Sequence, residues 1–164
     1  MALASVPSLP RNWADQPPEA PASAVNNGGP GPGPNQPPSS FAEELLRLTN
    51  AYRQQNGLRA LSLDGRLNAA AQAHSNDMAR NRFMDHRGSD GSDFSQRIAR
   101  TGYSAGLRAE NVAKGFNSAQ AVFQGWVNSD GHRRNILLNG VIHMGGACAQ
   151  SDAVYCTQVF AVPL

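Results

Sequence analysis

Helical and extended patterns meet in the stretch Gly125-Trp126-Val127-Asn128-Ser129-Asp130-Gly131-His132-Arg133-Arg134-Asn135-Ile136-Leu137. Its first residues continue an amphipathic helix that Ser118 is placed to cap, with Trp126 on the apolar face. The dipeptide Asp130-Gly131 is typical of a turn, so we expect the helix to end there. His132 would then lie on the turn, outside any packed helix face, where an imidazole is available for chemistry.

Around this stretch the chain carries its helices first and most of its strands late. Apolar residues at spacings of three and four predict helices over 41–55, 64–82, 93–100 and 118–128. A short extended connector is predicted over 58–63 and a strand over 108–116. Residues 137–149 and 153–162 should pair as a meander, with Gly145-Gly146 weakening or bulging its first strand. This order predicts an α+β layered domain rather than repeated βαβ units.

Residues 1–40 differ in composition from the rest of the chain. They hold ten of the 11 prolines and the run Gly28-Gly29-Pro30-Gly31-Pro32-Gly33-Pro34. Such a segment has little apolar surface to offset its ordering entropy, so we predict a disordered or polyproline-II-biased tail or linker. Residues 41–164 then form one domain of ordinary size. Its 13 basic and 10 acidic residues are too evenly balanced to indicate nucleic-acid or membrane binding.

The chain has two cysteines, Cys148 and Cys156, separated by a short polar segment. They would face each other from the two ends of a hairpin. We expect them to form a disulfide, with two buried free thiols as the alternative.

Three features predict the cellular location: the lack of a transmembrane segment, the lack of a signal-peptide pattern, and the composition of the tail. No stretch reaches the roughly 18 to 20 apolar residues of a transmembrane helix. The first residues contain no basic region followed by an apolar run. Because the tail is typical of a spacer that follows a cleaved signal or anchor, we expect a secreted or cell-surface protein whose signal has been removed.

Three polar residues at the edges of predicted elements are the site candidates. His86 lies in an Asp-rich loop, Glu110 in a strand, and His132 on the predicted turn. Two imidazoles and one carboxylate suit one divalent ion or one polarised water. Structural roles are the alternative: His86 would pair with Asp85 or Asp90, Glu110 would accept hydrogen bonds from buried amides, and His132 would stabilise its own turn.

Other residues of chemical interest are predicted to be structural. His74 lies on the buried stripe of the second helix, where a histidine is more often a hydrogen-bonded core residue than a ligand. Phe123 and Trp126 lie at helical spacing and are predicted to be core residues rather than a platform for a sugar.

Several blocks of the chain, taken in order, carry a family resemblance. They are Asn50-Ala51-Tyr52-Arg53, Ala73-His74-Ser75-Asn76-Asp77-Met78, Phe83-Met84-Asp85-His86-Arg87-Gly88, Gly102-Tyr103, Ala109-Glu110-Asn111-Val112-Ala113, the Trp126 to Leu137 block, and Tyr155-Cys156-Thr157-Gln158-Val159-Phe160. The chain thereby resembles the CAP superfamily of cysteine-rich secretory, antigen 5 and pathogenesis-related-type proteins. It is most similar to the SCP-like extracellular branch of bacteria and fungi.

The resemblance implies a three-layer α-β-α sandwich with a central antiparallel sheet and a central cleft. In the family two histidines and up to two acidic residues line this cleft, and several members bind a divalent metal there. His86, Glu110 and His132 match three of these positions and are predicted to be cleft residues and metal ligands, with zinc as the first candidate. The fourth position falls just after Trp126, where Val127-Asn128-Ser129 offers no carboxylate.

Three hypotheses for function follow. The leading one is a secreted, non-enzymatic binding protein whose cleft holds a divalent metal. Its ligand would be a small apolar, sterol- or lipid-like molecule, as among eukaryotic members of the family, or a cell-surface partner. The second is a metal-dependent hydrolase using the same residues, although the sequence lacks a His-Glu-x-x-His pair. The third is a structural or adhesion module of the cell envelope.

Overall fold

The computed structural model describes residues 40–164. The predicted tail over 1–40 lies outside the described residues, except for Ser40. In chain order the elements are α1 (Phe41–Gln55), β1 (Ser62–Leu63), α2 (Gly65–Asn81), α3 (Phe94–Arg100), β2 (Ala105–Lys114), α4 (Ala119–Val127), α5 (Asp130–Ile136), β3 (His143–Gln150) and β4 (Val154–Pro163).

Side-chain caps fix the starts of four helices. Ser40 and Glu43 form a reciprocal capping box at the start of α1. Asp64 accepts a hydrogen bond from the first turn of α2, and Asp93 and Ser118 do the same for α3 and α4. The predicted helix starts are therefore confirmed to within one or two residues.

The sheet has four strands in the order β1-β3-β4-β2. The pairs β3–β4 and β4–β2 are antiparallel, whereas β1 pairs with β3 in parallel over two residues, Ser62 and Leu63. The sheet is thus mixed rather than purely antiparallel, because part of the predicted connector over 58–63 adds a short strand at one edge.

Helices cover both faces of this sheet. On one face α1 packs on β3, and α4 packs on α1, around the cluster that contains Leu45, Trp126 and Phe160. On the other face α2 and α3 pack around Leu67 and Val159. Neighbouring residues of β4 face opposite layers, as the two-residue period of a strand requires. The predicted α+β sandwich of three layers is confirmed.

The glycine pair of β3 does not produce the expected bulge. Gly145 and Gly146 keep regular register with β4, and the irregularity lies in β2 between Ala105 and Arg108. A Cβ on Gly145 would lie 2.2 Å from the backbone carbon of Leu67. Glycine is present because the α2 backbone approaches the strand closely, not because the strand bends.

The predicted disulfide is present. Cys148 of β3 and Cys156 of β4 are direct cross-strand partners, and their sulfur atoms are bonded.

The predicted strand over 137–149 was too long, since β3 begins only at His143.

The Asp130-Gly131 dipeptide does not form the predicted turn but begins a helix. Residues Asp130–Ile136 form α5, with Ser129 at the N-cap position. Asp130 lies in the first turn, where a carboxylate is favoured by the helix dipole, and it pairs with Arg133 one turn later. His132 is therefore held within a short helix and is buried.

Among residues 40–164, no helix combines the length and apolar character needed to cross a membrane.

Candidate metal centre

The three predicted site residues come from three different parts of the fold. His86 lies in the loop between α2 and α3, Glu110 in β2, and His132 in α5. His86 Nδ1 lies 2.9 Å from Glu110 Oε1, so these two side chains are hydrogen-bonded. Asn111, which follows Glu110 on β2, donates to the carbonyl of His132, so the residue that carries the second imidazole lies beside this strand. Glu110 and His132 are buried, whereas His86 is partly exposed.

The partner of His86 is neither of the two aspartates named as alternatives. Asp85 accepts a hydrogen bond from the backbone N–H of Arg87. Asp90 accepts one from Arg100 and one from Ser92 N–H. These contacts are local to the loop and to α3, and they leave the carboxylate of Glu110 as the partner of the imidazole.

The side chain of Arg97, which the sequence patterns did not indicate as a site residue, contacts both Glu110 and the loop that carries His86. Its Nη2 lies 3.1 and 2.9 Å from the two carboxylate oxygens of Glu110. The same nitrogen donates to the carbonyl of His86 at 2.8 Å, and Nη1 donates to the carbonyl of Ser92 at 2.9 Å. Because Glu110 is 1% exposed, its charge needs this nearby cation.

A signal for Arg97 was present in the sequence. It lies next to Ile98 and three residues after Phe94, on the apolar side of α3. An arginine on that side of a helix must find a carboxylate or several carbonyl groups when it is buried. The sequence could not show which carboxylate, because the pairing depends on how α3 packs against β2.

Amide side chains hold α5 against β2. Asn135 donates to the carbonyl of Glu110 at 3.1 Å and to Asn111 Oδ1 at 2.9 Å. Asn111 donates in turn to the carbonyl of His132 at 3.3 Å and to Gln158 Oε1 at 3.2 Å. This network fixes the backbone of His132 relative to that of Glu110.

The end of α5 is held by a buried arginine. Arg53 of α1 donates to the carbonyls of Ile136 and Leu138 at 2.8 and 2.9 Å, and to that of Arg59 at 2.9 Å. These contacts satisfy carbonyl groups that a helix end leaves without intrahelical partners. They explain how a seven-residue helix holds its place although isolated helices of that length are unstable.

Burial keeps His132 neutral. Desolvation, with a smaller effect from the charge of His86, lowers the pKa of His132 from 6.5 to about 4. A neutral imidazole is the form that binds a metal ion.

His74 is also buried, and desolvation lowers its pKa. Its Nε2 lies 2.7 Å from the carbonyl of Asp85, so His74 is the hydrogen-bonded core residue that was predicted.

The donor set fits a metal ion through the two imidazoles better than through all three residues. His86 Nδ1 is engaged by Glu110, while His86 Nε2 is buried and has no hydrogen-bond partner among residues 40–164. Both oxygens of Glu110 already accept hydrogen bonds. Within the same residues, no group of three or more His, Cys, Asp and Glu side chains is arranged to hold a metal. Two nitrogen donors leave the other coordination positions of zinc to water or a ligand.

The aromatic residues of α4 are confirmed as core. Trp126 is fully buried and donates from Nε1 to the carbonyl of Val112 at 3.0 Å. Phe123 is buried and meets Tyr52 edge to face. Neither ring is available as a platform for a ligand.

Comparison with known proteins agrees with this architecture. The chain is 36% identical over 121 residues to the uncharacterized protein YkwD of Bacillus subtilis strain 168, covering 73% of this chain and 47% of that protein. The chain thus spans less than half of this relative's length. An extracellular protein with an SCP domain from Bacillus anthracis strain Ames superposes with a TM-score of 0.67 at 30% identity, covering 74% of this chain and 40% of that one. An outer surface protein of Borrelia burgdorferi gives a TM-score of 0.68 at 22% identity, covering 74% of this chain and 91% of that one.

The family model described as CAP, the cysteine-rich secretory protein family, matches residues 46–160, which is most of the described chain. The sequence resemblance is therefore confirmed: this chain belongs to the cysteine-rich secretory protein (CAP) family.

Proposed function

We propose that this protein is an extracellular binding domain whose cleft holds one divalent cation between the imidazoles of His86 and His132. The extracellular location is supported by a solved relative at 30% identity that is described as an extracellular protein. The disulfide between Cys148 and Cys156 also suits an oxidising compartment outside the cytosol.

The observation that carries the proposal is the contact between Glu110 and His86. A carboxylate at 2.9 Å from Nδ1 accepts a hydrogen bond from Nδ1–H, and in the neutral ring this leaves Nε2 as the electron-pair donor. Nε2 is the ring atom that has no hydrogen-bond partner among residues 40–164. Histidine residues that bind metals are typically oriented by such a carboxylate, which fixes the tautomer and raises the basicity of the ligand.

Glu110 would then influence the ion indirectly, by orienting the imidazole of His86. The prediction that Glu110 is a direct ligand stays a prediction, and a move of Glu110 onto the metal would have to release Arg97. The absence of a carboxylate in Val127-Asn128-Ser129, just after Trp126, further reduces the number of oxygen donors. We therefore expect weaker binding than at a structural zinc site with four protein ligands. A fold relative at 13% identity, NaASP2, has been solved with Zn²⁺, but that degree of likeness supports the fold alone.

The proposed cation would supply an open coordination position for a ligand or a partner group. The residues of this chain would bind the ion, keep the imidazole of His132 neutral and exclude part of the solvent. Glu110 already contacts His86 and accepts hydrogen bonds from Arg97. Because a general base needs a carboxylate that is free to take a proton, these contacts favour a binding role for the protein over a hydrolytic one.

Binding of a lipid-like molecule has less support than binding of a cation. Two surface cavities, of about 250 and 280 Å³, are lined largely by polar and small side chains. Among residues 40–164, the exposed large apolar side chains are Leu107 and Leu164. The apolar or sterol-like ligand and the cell-surface partner remain predictions.

Zinc titration by calorimetry tests the proposal. The full chain, stripped of metal at neutral pH, should bind one ion, and His86→Ala and His132→Ala should each lose the binding heat while remaining folded. His143→Gln is the matched control, because His143 lies on β3 and contacts Tyr103 rather than the cleft. Equal binding by the wild type and both alanine variants, or loss of binding in the His143 variant alone, would reject the site.

A further inference from the structure

We propose that Arg97 is a positioning residue of the metal centre: it holds Glu110 in the orientation that makes His86 present Nε2 to the cation. This inference rests on the proposed function. It assigns to Arg97 a role that is separate from its contribution to the stability of the fold.

Arg97 joins three parts of the chain that build the site. From α3 it reaches Glu110 on β2 through Nη2, with oxygen distances of 3.1 and 2.9 Å. It also donates to the carbonyls of His86 and Ser92, both within the loop that carries the imidazole. One guanidinium group thus sets the distance between the loop and the strand, and with it the contact between His86 and Glu110.

The guanidinium also limits what Glu110 can do. Glu110 is almost fully buried, and within residues 40–164 Arg97 is the only arginine or lysine that forms an ion pair with its carboxylate. While the guanidinium holds the carboxylate against Nδ1, a neutral His86 ring donates from Nδ1 and leaves Nε2 as the electron-pair donor. Without the guanidinium the contacts that orient the carboxylate are lost, so the His86 ring can carry its proton on either nitrogen.

Lysine cannot replace this arrangement. The planar guanidinium donates simultaneously to the carboxylate and to two carbonyl groups, whereas an ammonium is a compact point charge on a flexible stem. Arg97→Lys keeps the positive charge but loses the planar, branched donor group. It therefore separates neutralisation of the Glu110 charge from orientation of the Glu110 carboxylate. Arg100 provides a matched control, because it lies on the same helix and pairs with the exposed Asp90 instead of the site.

The first measurement is the tautomer of His86, read from the ring nitrogen shifts in NMR spectra of the metal-free full chain. The wild type and Arg100→Met should show His86 with its proton on Nδ1. Arg97→Met should show a mixture of tautomers or the form protonated on Nε2, and Arg97→Lys should lie between them. The Nδ1–H form persisting unchanged in both Arg97 variants would overturn the proposal.

The second measurement is the zinc affinity of the same proteins. Arg97→Met should bind zinc about 10- to 100-fold more weakly, which is the range found for residues that orient a metal ligand. Arg100→Met should match the wild type. Equal affinity in Arg97→Met and the wild type would overturn the proposal, whatever the tautomers.

The two measurements separate this inference from the proposed function. A wild-type chain that binds no zinc rejects the cation, while the tautomer comparison still tests Arg97 in the metal-free protein. If Arg97→Met does not fold, Arg97→Lys gives the decisive spectrum: a shift of the His86 tautomer supports the role of the planar, branched donor group, and an unchanged tautomer rejects it.

Discussion

The buried pair of Arg97 and Glu110 is the residue contact on which the site depends. Replacing Arg97 with Met, or Glu110 with Gln, should lower the free energy of unfolding by about 3–5 kcal/mol, because each change leaves an opposite charge or its polar partners buried alone. The double variant should lose less than the sum of the two single variants. Urea unfolding of the four proteins measures this cycle. Strictly additive losses would show that the two side chains do not act as a pair.

The protonation of His132 should make stability depend on pH. Its pKa is about 4 in the folded chain, below the ordinary value of 6.5, so the folded state favours the neutral ring. The unfolded chain binds the proton more readily, and stability is therefore present above about pH 6.5 and lost as the pH falls toward 4. One such group contributes a slope of up to about 1.4 kcal/mol per pH unit.

Unfolding of metal-free protein between pH 7 and pH 5 tests this slope. The His132→Gln variant should lose stability less steeply than the wild type over that range. Parallel slopes for the two proteins would mean that His132 does not titrate as its burial implies. His74, whose pKa burial also lowers, contributes in the same direction in both proteins and does not affect the difference.

At this scale the sequence indicated candidate site residues but not their contacts. His86, Glu110 and His132 were chosen from their residue types and from the family resemblance, and the structure brings His86 and Glu110 into direct contact. Arg97 was missed because its role depends on the packing of α3 against β2, which no local pattern encodes. The direct binding of a metal by Glu110 remains a prediction.

At the scale of elements, the close packing of α2 on β3 depends on one glycine. Gly145→Ala would place a methyl group 2.2 Å from the Leu67 backbone carbon, so the helix would have to move. Overpacking of this kind typically costs about 1–3 kcal/mol, and a backbone clash belongs at the upper end. Thermal unfolding measures the loss.

Gly65→Ala is the control for that experiment. A Cβ at Gly65 meets nothing within 4 Å, and the residue begins α2. This variant should be neutral or more stable by about 0.4–1 kcal/mol, since alanine restricts the unfolded chain. Similar stability of Gly145→Ala and the wild type would contradict the close approach of α2.

Helix α5 shows where local signals were insufficient. Asp130-Gly131 is a frequent turn dipeptide, yet here the two residues form the first turn of a helix. The helix is stabilised from outside itself, by Arg53 at its end and by the amides of Asn111 and Asn135 along its side. Tertiary contacts of this kind override weak local preferences, and they are invisible before the fold is known.

For the whole molecule, helix patterns and capping residues predicted the layers well. The four helices expected from spacing are present, and their apolar faces cover the two sides of the sheet. The parallel pairing of β1 with β3 was not predictable, because two residues carry no recognisable pattern. The order of the strands could not be predicted from local sequence patterns either, because the sheet places β4 between β3 and β2.

The site lies along the outer side of an edge strand. β2 ends the sheet, and side chains from neighbouring helices bind its carbonyl groups: Asn135 binds that of Glu110, and Trp126 binds that of Val112. These contacts protect the edge from pairing with another chain. They also place α5, and therefore His132, beside the strand that carries Glu110.

Locating the cation in a crystal shows directly whether the imidazoles of His86 and His132 bind it. A crystal of the full chain grown with zinc should show one anomalous peak in the cleft, about 2.0–2.1 Å from His86 Nε2 and from a ring nitrogen of His132. Glu110 should still contact His86 Nδ1 and Arg97 in that structure. A cleft without a peak, or a peak bound through His86 Nδ1 after Glu110 has moved away, would reject binding of the cation through His86 Nε2.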